Sequence, residues 1–290
     1  MKSLEETKTI LVPVDFSSVT RNSMNYASAL ALVLKKNITL LHVVHRGFLE
    51  TEHTFKLHME EVTAKLENLA EDLFEQTGIE TNVLIKRGSV FETIGEWAQK
   101  LQAAVVVIAT HGVRGLQHIF GSHTFKMISS GGEIPFMVVQ ERPMADHGFK
   151  RIVLPFTYEP ESRQKLTWAA EWSKLYQCKF YLLAERESDE YTAQKVEINM
   201  QYAERYLKKR GVDFELHTAA GRKPFFKEII RFSISINADL IMLVSQEEFT
   251  LSEFFIGPDE QDVIANEAQI PVFCINAFES SKITGQAMFR

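Results

Sequence analysis

Residues 108–122, IATHGVRGLQHIFGS, hold the residue types best suited to chemistry. The apolar run AAVVVIA (103–109) passes into a loop carrying Gly112, Gly115, Gly121 and Ser122, together with His111 and Arg114. Glycines let backbone N–H groups approach phosphate oxygens and take positive φ, and a following helix N-terminus adds partial positive charge. Gly121 and Ser122, placed just before a helix-like segment, meet that need. The chemistry would be that of a phosphate cradle, although the same residues also make a turn with Ser122 as a helix N-cap. A second candidate is Asp15, which follows the apolar run TILVPV. An acid at the carboxyl end of a strand lies on the edge where open α/β sheets bind ligands. It can equally cap a helix that begins near Ser18.

The elements that must position these residues occur twice. TILVPVDFSS (9–18) returns as RIVLPFTYEP (151–160), ITLLHVV (38–44) as KFYLLAE (179–185), and EIPFMVVQ (133–140) as QIPVFCIN (269–276). Short apolar runs alternate with longer amphipathic stretches, the pattern of βαβ units and a parallel sheet. Strands are expected at 9–14, 38–44, 81–86, 104–109 and 135–140, and again at 151–155, 179–184, 213–218, 239–244 and 271–275. EVTAKLENLAEDLFEQ and EINMQYAERYLKKRG space apolar residues three and four apart, as helices packing one face on a sheet require, and Gly211 is a helix-ending signal. Pro, Gly and charges interrupt the pattern at ERPMADHGFK (141–150), which reads as a short linker. The expected domains are 1–143 and 149–278, with a tail at 279–290.

Composition sets limits on function. With 45% apolar and 24% charged residues the chain can build real cores, and a net charge of −6 gives no electrostatic footprint for nucleic acid or an anionic membrane. The start MKSLEETKTI has no apolar core of a secretory signal, and no segment approaches the ~20 apolar residues that span a bilayer. The expectation is a cytoplasmic protein. Cys178 and Cys274 show no metal-ligand spacing and read as reduced core thiols. His111, His118 and His123 crowd one loop without CxxC or HExxH spacing, so they read as solvated or packed histidines and no metal site is assigned. There is no nucleophilic triad or Gly-x-Ser-x-Gly elbow, and no catalytic residue is assigned. The 21 phenylalanines, as in FFKEIIRF and EFFIG, read as core and interface.

Taken together, ILVPVDFSS, LLHVV, RGSVFETI and ATHGVRGLQHIFGS resemble the universal stress protein family in its tandem two-domain form. The resemblance spans nearly the whole chain as a pattern. It implies two tandem open, doubly wound five-stranded parallel-sheet α/β domains of the adenine-nucleotide alpha-hydrolase-like kind. Some members bind ATP through a loop of Gly, two residues, Gly, nine residues, then Gly-Ser or Gly-Thr. On that pattern Gly112, Gly115, Gly121 and Ser122 would hold phosphates, and Asp15 and the backbone near Val43 would face the adenosine. Two departures stand out. Ala109 occupies the first Gly position, and eight residues (113–120) rather than nine separate Gly112 from Gly121. In the second copy Pro258 follows Gly257 where a Ser would stand, Glu247 or Glu248 replaces Gly112, Glu253 adds a further negative charge, and Thr157 replaces Asp15. Loss of an N–H at Pro258 and the added acids disfavour phosphate there.

The expectation is a stress-response sensor or regulatory module that takes ATP or another adenine nucleotide, with Mg2+, in its first domain. The second domain is a degenerate structural copy. Alternatives are a nucleotide-free protein-interaction module and a slow ATPase, with a binding module favoured over an enzyme. The partners are an adenine nucleotide and unnamed proteins. The two domains are expected to pair within the chain through their last strands, and a homodimer stays open.

Overall fold

In the computed structural model the described residues are 8–44, 52–109, 134–245 and 268–276. They fall into two compact units, the first comprising the described residues up to 144 and the second those from 145 onward.

The first unit runs β1 (Thr9–Pro13), α1 (Thr20–Leu34), β2 (Asn37–Val44), α2 (Glu52–Thr77), β3 (Thr81–Arg87), α3 (Val90–Lys100), β4 (Ala103–Ala109) and β5 (Phe136–Val139). Its strands lie in the order β3-β2-β1-β4-β5, and each neighbouring pair is parallel. The second unit repeats this with β6 (Arg151–Phe156), a short 3-10 helix (Pro160–Arg163), α4 (Lys165–Tyr176), β7 (Lys179–Ala184), α5 (Glu190–Lys208), β8 (Phe214–Thr218), α6 (Phe225–Ser235), β9 (Leu240–Ser245) and β10 (Val272–Asn276). Its order, β8-β7-β6-β9-β10, is the same arrangement, again parallel throughout. Each expected strand is present, with its ends within one residue of those read from the sequence.

Burial explains why the inner strands read as unbroken apolar runs. A parallel sheet is covered on both faces, so its central strands need apolar side chains on each. Ile10, Leu11 and Val12 of β1 and Val106 and Val107 of β4 are fully buried. The edge strands β3 and β8 are only partly covered and carry polar and charged residues between apolar ones. Among the helices, α1 turns Met24, Ala27, Leu30 and Ala31 inward at helical spacing. It ends at Lys35, which takes a left-handed φ of 53°. The predicted stop at Gly211 is also present, with φ 67° and its N–H on the Lys208 carbonyl at 3.1 Å.

Among the described residues Phe55, Phe136, Phe149, Phe156, Phe180, Phe225 and Phe273 are buried and Phe74 is exposed, while EFFIG lies outside the described residues. In the second unit Phe149, Trp168, Trp172 and Phe273 pack ring against ring, with centroids 5.0–5.2 Å apart between neighbours. Cys178 and Cys274 are buried free thiols. Burial pushes Cys178 up to about 12 and raises Cys274 as well, so both behave as small core hydrophobes. No described helix is long and apolar enough to cross a membrane.

Candidate functional site

The order β3-β2-β1-β4-β5 reverses direction between β1 and β4. In open α/β sheets the crevice outside the carboxyl ends of the strands at such a reversal is where ligands bind. Pairing between β1 and β4 covers only Thr9, Ile10 and Leu11, so the two strands part before β1 ends. Asp15 follows β1 at this opening. β4 ends at Ala109, which sits in extended pairing with Val139 and carries no positive φ, so alanine fits there without strain.

Asp15 is held in a defined pose. Its Oδ1 accepts from the Ser17 N–H at 2.9 Å and from the Thr20 hydroxyl at 2.8 Å. An acid bonded to the N–H two residues on closes an Asx turn rather than a helix cap. Helix α1 accordingly begins at Thr20, after Val19, which offers no side-chain cap. The expected cap near Ser18 is replaced by this turn. Burial works to raise the Asp15 pKa, and the hydrogen bonds from Ser17 and Thr20 outweigh it, leaving the carboxyl below its ordinary range. The residue itself is exposed, and Oδ2 takes neither of these bonds.

Neighbouring residues that sequence reasoning passed over fix the same turn. His42 of β2 donates from Nδ1 to the Val14 carbonyl at 2.7 Å. Phe16, in a left-handed conformation with φ 60°, rests its ring 4.8 Å from the His42 ring. Asp15 is therefore bracketed by two residues clamped from β2. The signal lay in LLHVV, where one polar side chain interrupts a buried strand. From α1, Asn22 donates through Nδ2 to the carbonyls of Gln140 and Arg142, tying the helix to the segment after β5.

Pro13 pairs with Leu41, so Asp15 and Val43 each lie two residues farther toward the carboxyl edge. Val43 is half-buried on β2. The structure thus brings Asp15 and Val43 to one edge of the sheet. Gly112, Gly115, Gly121 and Ser122 lie outside the described residues, as do His111, Arg114, His118 and His123. The same holds for Glu247, Glu248, Glu253, Gly257 and Pro258 of the second copy. Among the described residues no group of three or more His, Cys, Asp or Glu could hold a metal ion.

The corresponding edge of the second unit is built differently. Thr157, in the place of Asp15, is buried and accepts from the Glu159 N–H at 3.3 Å. Asn199 of α5, 1% exposed, donates to the carbonyls of Thr157 and Glu159 and accepts from Arg163 Nε. After β8, the Glu228 carboxylate accepts from the N–H groups of Gly221, Arg222 and Lys223 at 2.8–3.2 Å. Burial raises its pKa, and these three donors bring it below the usual range. A row of N–H groups that could take an outside anion is already filled from within.

A doubly wound α/β fold with an acid at its switch point is an architecture whose ligands, where it has them, sit outside the carboxyl ends of the strands. Comparison with known proteins narrows it. The model of the Universal stress protein family matches residues 6–140. A universal stress protein of Synechocystis is 31% identical over 110 residues, covering 38% of this chain and 68% of that protein. A universal stress protein from Archaeoglobus fulgidus superposes with a TM-score of 0.74 at 16% identity, covering 94% of this chain and 97% of the other. A putative universal stress protein from Pseudomonas aeruginosa does so with a TM-score of 0.60 at 16% identity, covering 94% and 95%. The chain belongs to the universal stress protein family, and its length and repeated five-stranded sheet fit the tandem form.

Proposed function

We propose that residues 1–143 form a domain that binds ATP or another adenine nucleotide at the carboxyl edge of β1 and β4. Residues 149–278 form a degenerate copy, and the protein acts as a sensor or regulatory module in a stress response. The observation that carries this reading is the held Asp15. Its Oδ1 is fixed by Ser17 and Thr20, leaving Oδ2 at an exposed edge to accept from a ribose hydroxyl. The glycine-rich sequence that leaves β4 at Ala109 supplies the residue types for the phosphates, chiefly Gly112, Gly115, Gly121 and Ser122. Val43, on the same edge, would border the adenosine. Mg2+ would enter on the nucleotide's phosphates, since among the described residues no group of three or more His, Cys, Asp or Glu could hold the ion. A ligand taken only by the folded protein shifts its stability and conformational populations by mass action, which is all a sensor requires.

The test is calorimetric titration of the full chain with ATP and Mg2+, alongside Gly121→Glu, which places an anion in the cradle, and Asp15→Ala. Binding of about one nucleotide per chain, lost in the first variant and weakened in the second, is expected. No heat at millimolar nucleotide would overturn the reading and leave ATHGVRGLQHIFGS as a turn and helix cap.

A further inference from the structure

Helices α2 and α5 hold the same place in the two copies, each following the second strand, yet their exposed faces carry opposite charge. On α2, Leu57, Glu60, Ala64, Glu67, Glu71 and Phe74 are all exposed, Leu57 at 53% and Phe74 at 54%. Their alternating steps of three and four residues set them on one stripe of the helix. Val62, Leu66 and Leu73 are buried on its other side. The stripe thus holds three glutamates between two large apolar side chains. The helix's own ion pair, Glu61 with Lys65, lies off it.

On α5 the stripe is Tyr191, Lys195, Ile198, Tyr202, Arg205 and Lys209, again in alternating steps of four and three. It runs to the cap residue Lys209, whose backbone is still helical. Tyr191 is 66% and Ile198 47% exposed, Arg205 and Lys209 are exposed, and Lys195 and Tyr202 are half-buried. Cations lie against the rings. Lys195 Nζ stands 4.4 Å from the centre of the Tyr191 ring, and the Arg163 guanidinium 4.9 Å from that of Tyr202. Beside the stripe, Tyr206 stacks on Tyr202 at 6.2 Å and holds Arg210 at 3.5 Å. The ion pair within this helix, Glu204 with Lys208, lies off the stripe as well.

We propose that the two stripes are the halves of one contact between copies of this chain, α2 of one molecule lying along α5 of another. Their lengths match, since 57 to 74 and 191 to 209 each span about 26 Å at 1.5 Å per residue. Their period matches too, because alternating steps of three and four are the repeat of helices that lie along one another. Charge decides the pairing. Glu60, Glu67 and Glu71 meet Lys195, Arg205 and Lys209, whereas α2 on α2 or α5 on α5 would oppose like charges. Leu57, Phe74, Tyr191 and Ile198 gain cover in the same contact, and Tyr and Arg are the residue types that interfaces favour. A nucleic acid on α5 is disfavoured by the net charge of −6, while an acidic helix of the right spacing is present in every copy. Two chains related by a twofold axis would make the contact twice, and any other arrangement leaves a stripe open for a further chain. The contact uses neither Asp15 nor the glycine-rich sequence and stands without the nucleotide reading.

The experiment is sedimentation of the full chain across a range of concentrations. In low salt the wild type should form assemblies larger than one chain, and raising NaCl from about 0.05 to about 0.5 M should weaken them severalfold, because exposed charges are screened. Two triple reversals test the stripes: Glu60→Lys, Glu67→Lys and Glu71→Lys on α2, and Lys195→Glu, Arg205→Glu and Lys209→Glu on α5. Each should loosen self-association by about a hundredfold or more, since both stripes of the chain then carry the same sign. Mixed in equal amounts, the two reversed chains should associate again, the cationic α2 of one meeting the acidic α5 of the other. Circular dichroism is expected to match the wild type in both, as all six positions lie on helix surfaces. A chain that stays monomeric in low salt, an assembly unchanged by either one of the reversals, or folded variants that stay apart when mixed would each overturn the proposal.

Discussion

Thr20 donates its hydroxyl to Asp15 Oδ1 across 2.8 Å, so the first turn of α1 holds the acid that follows β1. Thr20 is itself buried, 4% exposed, and the partnership joins the helix start to the ligand edge of the sheet. A donor lost here loosens both.

Thr20→Val is expected to cost about 0.5–1.5 kcal/mol in urea unfolding at pH 7, the usual net value of one hydrogen bond. The cost should depend on pH. Asp15 has a folded-state pKa below its unfolded one, so its contribution is present above the unfolded value and is lost as the pH falls through the folded value. The gap between wild type and Thr20→Val should therefore close in strong acid. A gap that stayed constant from pH 7 down to pH 2 would show that the two residues are not coupled.

Gly88, between β3 and α3, has φ +152°, and a Cβ there would stand 2.5 Å from Thr93 Oγ1. Thr93 is buried and has little room to yield. Gly88→Ala should destabilise the protein by roughly 1–3 kcal/mol, through a backbone conformation that L side chains avoid and through the clash. Adding Thr93→Ala should recover only the clash. A double-mutant cycle in denaturant separates the parts, and full recovery would mean that backbone strain contributes nothing.

The strands were legible in the sequence because a covered parallel sheet demands continuous apolar runs, and each run here is bounded by polar residues or proline. Asp15 was legible for a similar reason, being an acid set directly against such a run. What escaped were side chains whose neighbours are remote in sequence. Lys165, in SRQKLTWAAEW, reads as an ordinary solvated lysine on an amphipathic helix. Only its register with buried Ser23 in the other copy signals that it points inward. Asn199 is hidden in the same way, inside a helix whose composition is mostly polar and charged. His42 was quoted with its strand, but its bond to Val14 depends on how β2 lies beside the end of β1.

Asn199 does for the second unit what Thr20 and His42 do for the first. Its amide reaches the carbonyls of Thr157 and Glu159 at 2.8 and 2.9 Å from the neighbouring helix α5. Asn199→Ala should cost about 1–3 kcal/mol for the Thr157 carbonyl left without a donor, the Glu159 carbonyl keeping the Ser162 N–H at 3.2 Å, whereas Ser162→Ala, which gives up a 3.3 Å contact, should cost far less. Comparable losses from the two substitutions, measured by urea unfolding, would show that the loop after β6 is held by something other than the asparagine.

Lys165 gives the sharpest pH dependence. Its ammonium is buried at a folded-state pKa of about 7, against 10.5 for the free side chain. Below pH 7 both folded and unfolded chains hold the proton, and the full cost of burying the charge is present. Between pH 7 and 10.5 the unfolded chain binds more protons than the folded one, so stability from this residue rises with pH across that window. Lys165→Met removes the charge and keeps most of the volume. In chloride at pH 6 the variant should be more stable than wild type, by roughly 1–4 kcal/mol on the precedent of buried charges replaced by apolar residues. That advantage should shrink as the pH approaches 10, where the wild-type amine is already neutral when folded. A variant whose advantage holds flat from pH 6 to 10 would mean that the folded protein keeps Lys165 charged throughout.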